Sequence, residues 1–305
     1  MQPPKIDTKF IDATAWQNLS WLNSGGTRAK KILQDFEEGE YYFKCSEKKE
    51  AKYYKYEFWN EIIAYQLGLH LGLDMLRYDV AVFENEIGCI SPKMITDEEH
   101  LVEVGSFMTA QNPDFLPENN KARKQYTSQL LEETLKTFDL AEFLPFFFRT
   151  LLFDVIIGNT DRHQENWAFI VNDAKIKTAP IYDNVSCLAR ELNDVKVSVL
   201  LSDEKELLKY INIGKSELHW NGNKLTHFDL MKEILNSQYA EMLRKEAVFL
   251  QNWQTDVVEK IMSEVDIVIP EKWQEFCIPV NRKSLIVKLL TLRFQKLQQI
   301  INGGI

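Results

Sequence analysis

Residues 153–166, FDVIIGNTDRHQEN, together with residues 179–184, APIYDN, decide how this chain reads. They place a carboxylate at Asp161, an amide five positions later at Asn166, and a second carboxylate at Asp183 beyond a short β-like stretch. Mg²⁺ is a hard cation that takes oxygen ligands and uses only a few protein groups beside substrate phosphates. Asn166 and Asp183 offer such oxygens, which leaves Asp161 to hold an attacking hydroxyl, as the catalytic-loop aspartate does in the kinase template. Any one of the three alone reads more readily as a turn or capping residue, because Asp and Asn favour loops. Together, behind the apolar run at 155–157, they point to phosphoryl transfer.

Working outward, His163 reads as an orienting group that hydrogen-bonds this loop, since the neighbouring carboxylate already suits a hydroxyl acceptor. Arg162 is expected to anchor the loop or to contact phosphate, and Asp154 to brace its backbone. Upstream, Lys44 lies on a β-like run, YYFKC at 41–45, from which an ammonium can reach phosphate oxygens while a helix carboxylate fixes it. Glu57 and Glu61 stand four apart on one helix face, so either can be that partner; Glu61 is preferred. Residues 24–30, SGGTRAK, precede the strand. There Gly25 and Gly26 let backbone N–H groups approach a phosphate with no Cβ in the way, and Lys30 closes the stretch. A Gly-Gly turn is common and this one lacks the GxxxxGK[ST] pattern. GxSxG, HExxH and GxGxxG are also absent, which weakens hydrolase, zincin and dinucleotide readings.

The chain shows no internal repeat or low-complexity tract. Its first third alternates turn signals with short β-rich runs. A helix is predicted over 57–71, weakened at its end by Gly68 and Gly72, and a hairpin over 78–83 and 87–91 around Glu84-Asn85-Glu86. Polar residues from 96 to 120 read as a loop-rich crossing. Beyond it the spacing predicts helices over 127–137, 140–157, 229–235, 240–264 and 281–301. A hairpin over 167–177, turning at Asn172-Asp173, brings Asp183 back toward Asp161. The expected fold class is α+β and two-lobed, protein-kinase-like. A small β-rich N-lobe with one helix (1–96) stands before a larger helical C-lobe (97–305), with the polar clusters in the cleft between them.

With 305 residues the chain is long enough for a substantial core, and 45% hydrophobic with 27% charged residues is ordinary for a globular protein. No apolar stretch approaches the roughly 20 residues of a membrane span, so no membrane association is expected. A net charge of −9 speaks against nonspecific nucleic-acid binding by the whole surface. Cys45, Cys89, Cys187 and Cys277 are widely spaced with no CxxC pair, which suggests reduced thiols in a cytoplasmic protein. The N-terminus, MQPPKIDTKF, has no apolar signal-peptide core. Trp16, Trp21, Trp220, Trp253 and Trp273 read as scattered core aromatics.

At this point the chain resembles the HipA-like serine/threonine protein kinases, the toxin kinases of bacterial toxin–antitoxin modules and their stand-alone relatives. The resemblance runs through residues 24–30, Phe43-Lys44, Asn60-Glu61 with the IIAYQLGLHLGL that follows, 157–166, and Ile181-Tyr182-Asp183. It covers most of residues 20–190 and is most specific at GNTDRHQEN. It implies an ATP- and Mg²⁺-dependent kinase that phosphorylates a protein hydroxyl. Asp161 would be the catalytic aspartate, Asn166 and Asp183 the Mg²⁺ ligands, Lys44 the ATP-phosphate lysine, Glu61 its partner, and Lys30 part of the phosphate loop. The family's targets include aminoacyl-tRNA synthetases and its antitoxin partners bind DNA, so the resemblance implies a protein substrate and an antitoxin. Full-length members carry an N-terminal subdomain before the phosphate loop, so this chain resembles a short form. Asn23 stands where the family loop often has a regulatory serine. The DRHxxN pattern is also similar to that of phosphoinositide kinases, which keeps a lipid or small-molecule kinase open. A nucleotide-binding partner module with weak catalysis is the remaining alternative.

Overall fold

The structure, a computed structural model, describes residues 6–20, 30–49, 52–115, 122–173 and 175–303. Gly25 and Gly26, expected to cradle phosphate, and Trp21 lie outside them. The N-terminal strands are β1 (Phe10–Asp12), β2 (Gln17–Asn18), β3 (Lys31–Gln34), β4 (Glu40–Cys45), β5 (Lys48–Lys49), β6 (Lys52–Tyr53), β7 (Asp79–Phe83) and β8 (Glu86–Pro92). Six of them form one sheet in the order β1-β7-β8-β4-β3-β2, while β5 and β6 pair separately. In the sheet only β1 and β7 run parallel.

Side chains alternate across a strand, and β4 uses both faces. Phe43 packs with Leu33, Phe83 and Ile90 in a small core of its own, so Lys44 points to the opposite face, toward the rest of the molecule. The β7–β8 connection is a two-residue turn in which Glu84 and Asn85 have φ of 48° and 61°, the left-handed pair that a tight hairpin requires.

Helix α1 (Phe58–His70) packs against β8 on one side and the C-lobe on the other, and every residue from Phe58 to Gly68 is buried. It ends as Gly72, with φ of 81°, donates to the Leu69 carbonyl and Leu73 donates to that of Gly68. These paired bonds satisfy carbonyls that a helix end leaves open. Gly68 has a packing role too: a Cβ there would stand 2.4 Å from Met75 Sδ.

The C-lobe holds a three-stranded antiparallel sheet of β9 (His100–Glu103), β10 (Ala168–Asn172) and β11 (Lys175–Thr178), with β10 in the middle. Its helices are α2 (Val104–Gln111), α3 (Ser128–Thr137), α4 (Leu144–Ile157), α5 (Asp194–Ser202), α6 (Glu204–Ile213), α7 (His227–Leu235), α8 (Ala240–Glu246), α9 (Thr255–Glu264) and α10 (Val280–Ile301). From Phe147 onward α4 is buried almost without interruption, and α10 packs along it.

Three expectations need correction. The stretch read as a loop-rich crossing contains β9 and α2, because β9 finds its partner only in β10, far along the chain. Helices α5 and α6 were not expected; they are capped by the Asn193 and Asp203 side chains, and α5 packs on α10. The single helix expected over 240–264 is broken: 3₁₀ turns follow α8, and Gln254 is extended at φ −139°. Trp253 leaves the helical path to stack flat on Phe294, 4.3 Å away and tilted by 7°. The four cysteines are free thiols, and among the described residues no helix is long and apolar enough to cross a membrane.

Candidate active site

Between the lobes lies a cavity of about 230 Å³ lined by Lys30, Lys44, Asp161, His163, Asn166 and Asp183, with Tyr42, Tyr78, Met94, Leu101 and Tyr182 among its other walls. Four segments deliver these groups: the residue before β3, β4, the loop after α4, and the segment after β11.

Lys44 Nζ lies 3.7 Å from Glu61 Oε1 and 3.5 Å from Asp183 Oδ1. Burial alone would lower the lysine's pKa, but Asp183 foremost, with Tyr78 and Glu61, outweighs it and raises the value well above the ordinary one. Glu61 is fully buried, and burial pushes its pKa up to about 7 against the pull of Lys44. Its other oxygen, Oε2, accepts the Asn184 N–H at 2.8 Å. Glu57, the alternative partner, instead pairs with Arg190 and accepts the Glu47 N–H. On the same helix Asn60 donates to the carbonyls of Val185 at 3.0 Å and Cys187 at 2.7 Å. Helix α1 thus grips residues 184–187 through two consecutive buried polar side chains.

Arg162 does not contact the cavity; it is the buried anchor of the loop. Its guanidinium holds Asp154 Oδ2 at 3.0 Å and Oδ1 at 2.9 Å, Asn184 Oδ1 at 2.6 Å, Tyr182 O at 2.5 Å and Asn166 O at 3.3 Å. Only a planar fork of donors can serve so many acceptors at once. Burial works against its charge, yet Asp154 keeps its pKa raised. One side chain therefore ties α4, the loop carrying Asn166 and the segment carrying Asp183. Between these ties Asp183 sits at φ 54°, a backbone state that non-glycine residues keep only when their surroundings impose it.

Asp161 is held from several sides. Its N–H donates to Asn159 Oδ1 at 3.1 Å, its carbonyl accepts from Asn166 Nδ2 at 2.8 Å, and Ser186 Oγ donates to its Oδ2 at 3.2 Å. Because the Asn166 amide nitrogen is engaged, its Oδ1 is the atom left to meet a ligand. Asn166 and Asp183 line the same cavity, and an amide oxygen and a carboxylate are the kind of hard donor that Mg²⁺ takes. His163 lines the cavity too, and its Nδ1 accepts the Glu165 N–H at 3.3 Å. Lys30 lies 5.2 Å from the Tyr42 ring centroid; burial and then the nearby Lys44 charge lower its pKa.

Sequence reasoning missed Ser186 and Asn184, which complete the site through Asp161 and Arg162. Both follow Asp183 in the run IYDNVS, so the only signal was proximity to a residue already singled out. Glu103 and Glu165, further carboxylates on the cavity wall, were missed as well.

A β-rich lobe and a helical lobe enclosing a lysine–carboxylate cleft define the kinase class of fold. Comparison with known proteins carries this further. The HipA-like C-terminal domain family matches residues 22–273, and the chain belongs to that family. It is 27% identical over 254 residues to the serine/threonine-protein kinase CtkA of Helicobacter pylori strain J99, covering 79% of this chain and 74% of that protein. The crystal structure of a Helicobacter pylori proinflammatory kinase CtkA superimposes with a TM-score of 0.77 at 19% identity, over 97% of this chain and 98% of that one. HipA of Shewanella oneidensis MR-1, solved with HipB and its operator DNA, aligns with a TM-score of 0.49 at 14% identity, over 93% of this chain and 68% of that one.

Proposed function

We propose that this chain is an ATP- and Mg²⁺-dependent kinase that transfers the γ-phosphoryl group to a serine or threonine hydroxyl of a protein. The observation that carries the reading is Lys44 set between Glu61 and Asp183 in the same cavity as Asp161 and Asn166. Its two ion-pair distances of 3.7 and 3.5 Å exceed those of direct hydrogen bonds. The ammonium is thus oriented by two acids while its donors remain available to phosphate oxygens. Kinship with a serine/threonine-protein kinase supports the acceptor class.

In this reading Asn166 and Asp183 hold Mg²⁺, which when bound neutralises charge on the phosphate chain. Lys44 and Lys30 meet the phosphates from the N-lobe. Asp161, oriented by Ser186, positions the acceptor hydroxyl and takes its proton as that oxygen bonds to the γ-phosphorus. The bond from the γ-phosphorus to the bridging oxygen breaks, and ADP leaves. Catalysis rests on positioning and on charges fixed in advance.

The test is incubation with γ-labelled ATP and Mg²⁺ in the presence of cell-lysate proteins. Wild type should label itself or a lysate protein, while Asp161→Asn should lose about 10² to 10⁴ in rate. Equal labelling by both would remove the assignment.

A further inference from the structure

A second cavity, of about 490 Å³, adjoins the first at Ser186, which lines both. Gly158 and Thr160 of the loop leading to Asp161 form part of its wall, with Gly214, Lys215 and Arg293. Arg293 comes from α10 and is only 5% exposed. Its Nη1 donates to Val155 O at 3.2 Å and to His227 Nδ1 at 3.4 Å.

His227 brings no charge to this contact. Its Nε2 lies 2.7 Å from Asn159 O, and a carbonyl can only accept, so Nε2 carries the imidazole proton and Nδ1 offers a lone pair. Burial, and then the nearby Arg293, lower its pKa to about 3 and keep it neutral. Of the buried arginines described, Arg162 has Asp154 at 2.9 Å and Arg282 has Asp194 at 4.0 Å. Arg293 has no carboxylate within ion-pair reach among the described residues, and neither Nε nor Nη2 makes a hydrogen bond to them. Two glycines leave this edge of the guanidinium uncovered. A Cβ at Gly158 would stand 3.0 Å from Arg293 Cζ, and one at Gly214 would stand 3.1 Å from Nη2.

The cavity also holds Lys215, Lys224, Glu191 and Glu217. Glu217 is engaged by Lys224, and Glu191 accepts the Tyr210 hydroxyl at 2.6 Å. What remains is a buried cation that feels Glu191 only from beyond ion-pair reach, beside the wall formed by Thr160 and Ser186, neighbours of the proposed base. A buried charge is costly unless it is paired, so this cavity is suited to an anionic partner from outside.

We propose that this second cavity seats the acceptor polypeptide, with Arg293 receiving an anionic side chain, carboxylate or phosphate, a few residues from the hydroxyl that is phosphorylated. The proposal rests on the kinase reading above and adds the acceptor's chemistry to it.

The test uses the full chain with Mg²⁺ and ATP and a set of serine peptides whose flanking positions carry Glu, Gln or phosphoserine. A charge-assisted hydrogen bond predicts kcat/KM for the Glu or phosphoserine peptide about ten- to a hundredfold above that for Gln. The larger of the two gains identifies carboxylate or phosphate as the source. Arg293→Gln should bring the ratio close to one. If that variant does not fold, Gly214→Ala should reduce the ratio instead, since Gly214 has an ordinary backbone at φ −59° and the nearest neighbours of its new Cβ would be the guanidinium and His227. Equal kcat/KM for charged and neutral peptides in wild type overturns the proposal, as does an undiminished ratio in the folded variant. Absence of transfer to every peptide and protein overturns the kinase reading itself, a result distinct from transfer without acid preference.

Discussion

Ser186 Oγ lies 3.2 Å from Asp161 Oδ2, while Oδ1 of the same carboxylate accepts no hydrogen bond from the described residues. The serine thus holds one oxygen of the carboxylate, and Asp161 lines the cleft. Removing the serine should loosen the aspect of Asp161 without touching Lys44 or Lys30. Ser186→Ala is expected to lower kcat about tenfold, the worth of a hydrogen bond to a charged group, with KM for ATP unchanged. Steady-state kinetics over a range of ATP decides it; a changed KM with an unchanged kcat would place Ser186 in nucleotide binding instead.

The Asp154–Arg162 pair should be a large single contributor to the stability of the loop that carries Asp161. Asp154→Ala leaves the Arg162 guanidinium, 2% exposed, without its main counter-charge. Breaking a buried pair from one side costs about 3–5 kcal/mol. Urea unfolding of the variant should show a loss of this order; a loss below about 1 kcal/mol, the worth of an exposed pair, would contradict the anchoring role.

Glu61 gives the protein a signed dependence on pH. Its pKa in the folded chain is raised from 4.5 to about 7, so the native state binds this proton more tightly than the unfolded chain does. The stability it contributes is complete below the unfolded value and is lost as pH rises through the folded one. Relative to Glu61→Gln, wild type should therefore lose stability between pH 4.5 and about 7 and change little above. Paired denaturation curves at acid and alkaline pH measure this; a gain of wild type over the variant with rising pH would reverse the argument.

Much of the site was legible because its residues are local. Asp161, Arg162, His163 and Asn166 fall within six positions, and a motif that short can be read without knowing the fold. Lys44 and Glu61 were legible because a strand lysine and a helix acid are expected to meet. Ser186, Arg293 and His227 were not, since each acquires its partners only when the C-lobe packs. The same division holds for the fold. Helix α4 and the β7–β8 hairpin follow from apolar patterning and turn chemistry, whereas β9 is an edge strand with no exclusively local reason to extend. In α5, Val195, Val197 and Val199 alternate as in a strand, a preference for extended backbone that packing against α10 overrides.

Gly68→Ala separates intrinsic helix preference from packing. On an exposed helix the change should stabilise by about 0.5–1 kcal/mol. Here the new Cβ would lie 2.4 Å from Met75 Sδ and 2.6 Å from its Cγ, an overpacking that costs about 1–3 kcal/mol. Net destabilisation is expected in thermal or urea unfolding, with Met75→Ala restoring part of it in the double variant. A stabilised single variant would show that Met75 moves aside freely.

Helix α1 sits between the lobes like a keystone. Its Trp59 indole donates to Phe276 O at 2.8 Å, Asn60 reaches two carbonyls after Asp183, and Glu61 takes the Asn184 N–H. Swinging the helix outward would tear all of these away together and drown a nearly dry surface. The piece that joins the two halves is thus also the piece that sets Glu61 beside Lys44, so any displacement of α1 would be felt in the hinge and in the cleft at once.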